Sequence, residues 1–132
     1  MNVNEVRPSL ILVIEDVEET RIAIEQLLHA DRYRVVAVQD EDQAVLQSLR
    51  APPDLILMSV GADAAQQMAV AQRIRGRARL SGAIPIVIFC VPTIDEGAEV
   101  EVASGLYLTR PDNFDQLRGL LTRLLRTRLP SC

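Results

Sequence analysis

Short apolar runs alternate along the chain with stretches of helical period. Residues 10–14, LILVI, form the first run and read as a strand. From Val17 to Ala30 the apolar spacing changes to three and four, which predicts a helix with Ile24, Leu27 and Leu28 facing inward. A second strand follows at 34–38, RVVAV. Asp40 and Gln43 then stand three apart before a helix reaching Leu49, the spacing of a capping box in which side chains serve the free N–H groups of the first turn. DLILMS at 54–59 is the third strand, and Ala64, Met68, Ala71 and Ile74 form the stripe of a third helix. IPIVIF at 84–89 and GLYL at 105–108 are strands four and five, and Phe114, Leu117, Leu121, Leu124 and Leu125 give a last amphipathic helix. The segment VPTIDEGAEVEVASG at 91–105 has no clear period. It is expected to hold a fourth helix, short or irregular, although its EVEV alternation suits a strand equally well.

Strands each trailed by a helix imply βαβ units and a doubly wound, five-stranded parallel sheet covered on both faces. The near-continuous apolar strands agree, because a sheet buried on both sides needs no alternation. In such sheets the working groove opens at the carboxyl ends of the strands, where the winding direction reverses. The candidates are then Glu15 and Asp16 after strand one, Ser59 and Gly61 after strand three, Cys90 after strand four and Arg110 after strand five.

Composition narrows the chemistry. A length of 132 residues predicts a single domain, with its core over about 9–128. A hydrophobic content of 48% with 24% charged residues is that of a globular chain, and no apolar run is long enough to span a bilayer. The start, MNVNEVRPS, lacks the basic and apolar blocks of a signal peptide, so the cytoplasm is the expected compartment. The net charge of −4 argues against nucleic acid held by phosphate neutralisation. All 14 basic residues are arginine, which excludes lysine chemistry altogether. Cys90 and Cys132 are too far apart for a metal knuckle, and His29 is the sole histidine.

The stretches LILVIEDVEETR, PDLILMSVGAD, IPIVIFCV and YLTRP, in that order, resemble the receiver domain of response regulators in two-component phosphorelays. The resemblance runs from Leu10 to Leu125 and implies a flavodoxin-like (βα)5 fold. It also implies a function: an acidic pair after strand one binds Mg²⁺, an aspartate ending strand three accepts phosphate from a phosphohistidine, and a hydroxyl and a Lys-Pro follow strands four and five. This chain departs from that pattern. The pair is Glu15 and Asp16, the phosphoacceptor position holds Ser59, the hydroxyl position holds Cys90, and the lysine is Arg110 followed by Pro111. Tyr107 stands where the family often carries a switching aromatic.

Each departure has a chemical consequence. A serine hydroxyl is protonated at neutral pH and needs a base beside it to attack phosphorus. Two carboxylates, Glu15 and Asp16, with the Gly61 carbonyl make at best a weak or vestigial Mg²⁺ site, since divalent affinity follows ligand charge. The same acids also suit the positive end of a helix, beside Glu18 and Glu19. Arg110 is expected either to grip Glu15 or Asp16 in a bidentate pair or to lie in solvent. The family's turn predicts a cis Arg110–Pro111 bond. Cys90 reads as a small core residue, and a reactive thiol there would need exposure and a lowered pKa. Arg118, Arg123, Arg126 and Arg128 read as a solvated row or a binding face. Leu120 widens the last helix's stripe, so a homodimer through the last strand and helix stands beside full burial at home.

The expectation is therefore a receiver-like signalling module, not an enzyme, that acts by contact with a sensor kinase or a downstream effector. It needs no cofactor beyond weak Mg²⁺ and binds neither nucleic acid nor membrane. The runner-up is a working Mg²⁺-dependent receiver phosphorylated at a different residue, for which Asp63 is the nearest spare acid. A flavin or nucleotide binder fits poorly, because EDVEE after strand one would repel phosphate.

Overall fold

A computed structural model describes residues 8–59, 63–89, 91 and 93–128, the side chains of 127 and 128 excepted. The elements run β1 (Leu10–Glu15), α1 (Glu18–Ala30), β2 (Arg34–Val38), α2 (Glu41–Arg50), β3 (Leu55–Ser59), α3 (Ala64–Arg77), β4 (Ile86–Ile88), β5 (Glu99–Ala103), β6 (Leu106–Thr109) and α4 (Phe114–Arg128). They build one six-stranded sheet in the order β2-β1-β3-β4-β6-β5. All neighbours are parallel except β5, which is antiparallel to β6. Among the described residues no helix is long and apolar enough to cross a membrane.

Strand alternation distributes the apolar side chains between two cores. Ile11 and Val13 of β1, Leu55 and Leu57 of β3 and Val87 of β4 face Ile24 and Leu28 of α1 and Leu117, Leu120, Leu121 and Leu125 of α4. The intervening residues Leu12, Ile14, Ile56, Met58, Ile86 and Ile88 face Ala44 and Val45 of α2 and Ala71 and Ile74 of α3. Burial on both faces is why β1 and β3 carry no polar residue before their last positions. Leu120 is buried against the sheet, so the breadth of the α4 stripe is used at home and gives no ground for a homodimer through that helix. Leu27, expected inward, is 39% exposed, because it lies on the flank of α1 beyond the strip that the sheet covers.

The segment 91–105 departs from the helical expectation. Its second half is the strand β5, and no fourth crossover helix exists among the described residues. Length supplies the reason. The chain must return from the carboxyl edge of the sheet to its amino edge before β6 begins. Five residues of strand cover about 17 Å. A helix would need about 11 residues for that span. The alternating EVEVA run, with two β-branched valines, takes the extended route. The turn back into β6 uses Gly105 at φ +73°, where a Cβ would also come within 2.7 Å of the Gly82 carbonyl oxygen. Arg75 fastens this turn from α3, with Nη1 donating to the Ser81 and Ile84 carbonyls and Nη2 to that of Gly105.

The Arg110–Pro111 bond is not cis, since no cis peptide occurs among the described residues. The same hairpin accounts for this. Arg110 N–H donates to Ala98 O, and Arg110 O accepts from Gly97 N–H, so the ladder carries the chain extended up to the proline.

Candidate functional site

The winding direction reverses at β1, which lies between β2 and β3. The parallel register sets Glu15 directly beside Ser59 at the carboxyl edge. Glu15 is buried, at 5% exposure, whereas Asp16 is exposed. The Glu15 carboxylate turns back onto α1 and its Oε2 accepts the Val17 N–H at 3.1 Å. Burial pushes its pKa above the ordinary 4.5 and the neighbouring Asp16 adds to the rise, while the N–H bonds of Val17 and Asp16 act against it. No hydrogen bond joins Ser59 to Glu15 among the described residues, so the hydroxyl is not presented to the one acid beside it.

α1 begins at this point without help from its own cap. Its N-cap is Val17, which has no side chain able to accept a hydrogen bond, and Glu15 from the strand serves the N–H of Val17 itself. Arg21, one turn into the helix, donates from Nη1 to the Glu15 carbonyl at 2.9 Å. This arginine was not among the candidates. It stands six residues past Glu15, and nothing in its spacing marks it.

The right-hand side of the groove is arranged differently from expectation. Arg110 pairs with neither Glu15 nor Asp16 among the described residues. Its Nη1 donates to the Ile94 carbonyl at 3.1 Å, because the loop before β5 arrives beside it and offers a nearer acceptor. Pro111 is half-buried behind it. Tyr107 is half-buried against the α1–α4 core, and burial, with the adjacent Glu101 carboxylate, raises its pKa above 10.0. Gly61 and Cys90 lie outside the described residues, and so does Cys132. Among the described residues no group of three or more His, Cys, Asp and Glu side chains could hold a metal ion.

Asp63, the spare acid of the runner-up reading, is exposed and caps α3, its Oδ1 accepting the Gln66 N–H at 2.9 Å. The arginine row of α4 is partly spent inside the chain. Arg118 binds Asp31 at 2.7 Å and Asp115 at 2.6 Å, and Arg123 binds Glu99 at 2.7 Å.

No protein-family model matches the sequence, and no curated protein matches it. Solved structures match in fold. The TrrA response regulator of Thermotoga maritima, in complex with Mg²⁺-BeF, aligns over 88% of this chain and 98% of its own at 18% identity and a TM-score of 0.67. The receiver domain of a sensor histidine kinase from Pseudomonas aeruginosa PAO1, with a magnesium ion coordinated in its active-site cleft, aligns over 90% and 98% at 24% identity and 0.68. The receiver domain of Francisella response regulator 1452 aligns over 92% and 99% at 14% identity and 0.72. Identities this low establish the fold, and the fold is that of response-regulator receiver domains.

Proposed function

We propose that this chain, which has the receiver fold, serves two-component signalling as a module that does not take up a phosphoryl group, and that it acts by contact with a signalling protein. The observation that carries the reading is the pairing of Glu15 with Ser59. An acyl phosphate forms on a carboxylate, and the residue ending the central strand is a hydroxyl with no base directed at it. Glu15 and Asp16 would be the protein's carboxylates for Mg²⁺, and the ion would act as the Lewis acid towards a bound phosphoryl group. With the third charge missing and Glu15 folded onto Val17 N–H, that site is weak. The chain is a signalling module and not an enzyme, it works in the cytoplasm, and its partner is a sensor kinase or a downstream effector.

The competing reading, a Mg²⁺-dependent receiver that accepts phosphate at Asp63, requires that carboxylate to leave the cap of α3. Acetyl phosphate with Mg²⁺, followed by intact mass, separates the two. The expected spectrum contains the unmodified chain alone. A phosphate-sized gain overturns the proposal.

A further inference from the structure

β5 forms one open edge of the sheet. All five of its residues are exposed, and Val100 and Val102 are each 41% exposed. The hydrogen bond from Arg110 N–H to Ala98 O turns Ala98 towards β6. Antiparallel alternation then turns Val100 inward too and leaves the backbone N–H and C=O groups of Glu99 and Glu101 facing outward. Those groups form a template for one more strand. The ladder is regular here, since its irregularity falls beyond, between Glu101 and Ala103.

The side chains on this edge are sorted by face. Val100 pairs with Leu108, on the α2–α3 side of the sheet, and stays 41% exposed there. Glu99 and Glu101 pair with Thr109 and Tyr107 on the other side, where Arg123 of α4 reaches Glu99. Around them Asp95, Glu96 and Asp112 are also exposed. An added strand therefore meets valine on one face and, on the other, two carboxylates with partners of their own, Glu99 held by Arg123 through both oxygens and Glu101 accepting the Gly105 N–H.

A second copy fits this edge badly. An antiparallel self-pairing centred on Glu99, Val100 or Glu101 always sets at least one glutamate directly opposite another, and like charges so placed destabilise a sheet. We infer that the β5 edge is a docking site for an extended segment of a partner protein in which basic and apolar residues alternate. Basic side chains lie over Glu99 and Glu101, apolar ones over Val100. Main-chain hydrogen bonds supply affinity, and the alternation supplies selectivity. The inference names the contact surface for the contact-driven role above and rests on that reading, while its test does not involve phosphate.

The probe is a short capped peptide alternating arginine and valine, added to the full chain while backbone amide exchange is followed. The amides of Glu99 and Glu101 should slow by about tenfold at saturation. A peptide of the same composition with proline at its centre should lose that protection, because it cannot complete the ladder. Glu101→Arg should weaken the arginine peptide and favour one alternating glutamate with valine. Should this variant misfold, the proline comparison on the natural chain still decides. Equal binding of the proline peptide, protection elsewhere than at β5, or no binding overturns the inference. So does a sedimenting dimer that protects the same two amides without peptide, which would assign the edge to a second copy.

Discussion

Three helices of this fold begin with one device, and the fourth begins with another. Asp40, Asp63 and Asn113 each offer a side-chain oxygen to the N–H three residues on, at Gln43, Gln66 and Gln116. At α2 and α4 the glutamine also reaches back, Gln43 to Gln39 N–H and Gln116 to Asp112 N–H, so that two free donors are satisfied at once. α1 starts on an uncapped valine, and its first donor is served by a buried glutamate from the preceding strand. The first arrangement is local and built for stability. The second uses a carboxylate whose burial opposes its charge, at the mouth of the groove. A local rule broken at one helix start and kept at the others sets α1 apart at the carboxyl edge where Glu15 lies beside Ser59.

Placing a second carboxylate beside Glu15 should produce the largest effect. Strands lie about 4.8 Å apart, and two charges at that distance repel by about 3 kcal/mol at an effective permittivity of 20. Ser59→Asp is therefore expected to lower unfolding free energy by about 2–3 kcal/mol in chelator, and millimolar Mg²⁺ should restore much of it. Denaturant melts with and without Mg²⁺ measure both numbers. A variant as stable as the natural chain in chelator, and indifferent to Mg²⁺, would show that the two positions do not form one anionic pocket.

Cap substitutions come next and should have opposite signs at the two kinds of start. Asp40→Ala and Asn113→Ala each remove an acceptor and should cost about 1 kcal/mol. Val17→Ser adds one where none exists. Val17 is 53% exposed and already has the extended backbone of a cap, at φ −87° and ψ 116°. The substitution should therefore gain about 0.5–1 kcal/mol. If Val17→Ser destabilises the chain, Glu15 is an adequate cap and the contrast between the helix starts is false.

The sequence made some of this contrast legible and hid the rest. The Asp40–Gln43 box was readable from spacing alone, and Asp63–Gln66 and Asn113–Gln116 carry the same interval in plain view. Strands and cores were readable because apolar runs such as LILVI and DLILM can be buried in only one way. What periodicity could not resolve was the destination of long polar side chains. Arg110 was expected at the acidic pair or in solvent, but it goes to the Ile94 carbonyl because the loop before β5 passes close by. That loop follows from a second ambiguity. EVEV fits a helix or a strand locally, and the length of chain available for the return to β6 settles it. The position of the groove thus follows from local pattern, while its right-hand wall depends on a nonlocal length constraint.

The smallest effects lie in the pH profile, where carboxylates at two helix starts should act in opposite directions. Glu41, in the first turn of α2, is held below its ordinary 4.5 chiefly by its hydrogen bonds to Arg73, with Arg77 assisting. Its folded pKa is depressed, so its contribution is complete above 4.5 and fades as pH falls through the folded value. Glu41→Gln should cost stability at neutral pH, by less than a lost cap, and the deficit should close on acidification. Glu15 has the reverse sign. Its folded pKa is raised, so the native state binds the extra proton, and its unfavourable share grows as pH rises from 4.5 through the folded value. Glu15→Gln keeps an oxygen for the Val17 N–H and should stabilise the chain at neutral pH, with the gain vanishing below 4.5. Melts of both variants across this range should give difference curves of opposite sign. Curves of the same sign would mean that Glu15 is as well served at its helix start as Glu41 is, and the distinction between the two kinds of start would be lost.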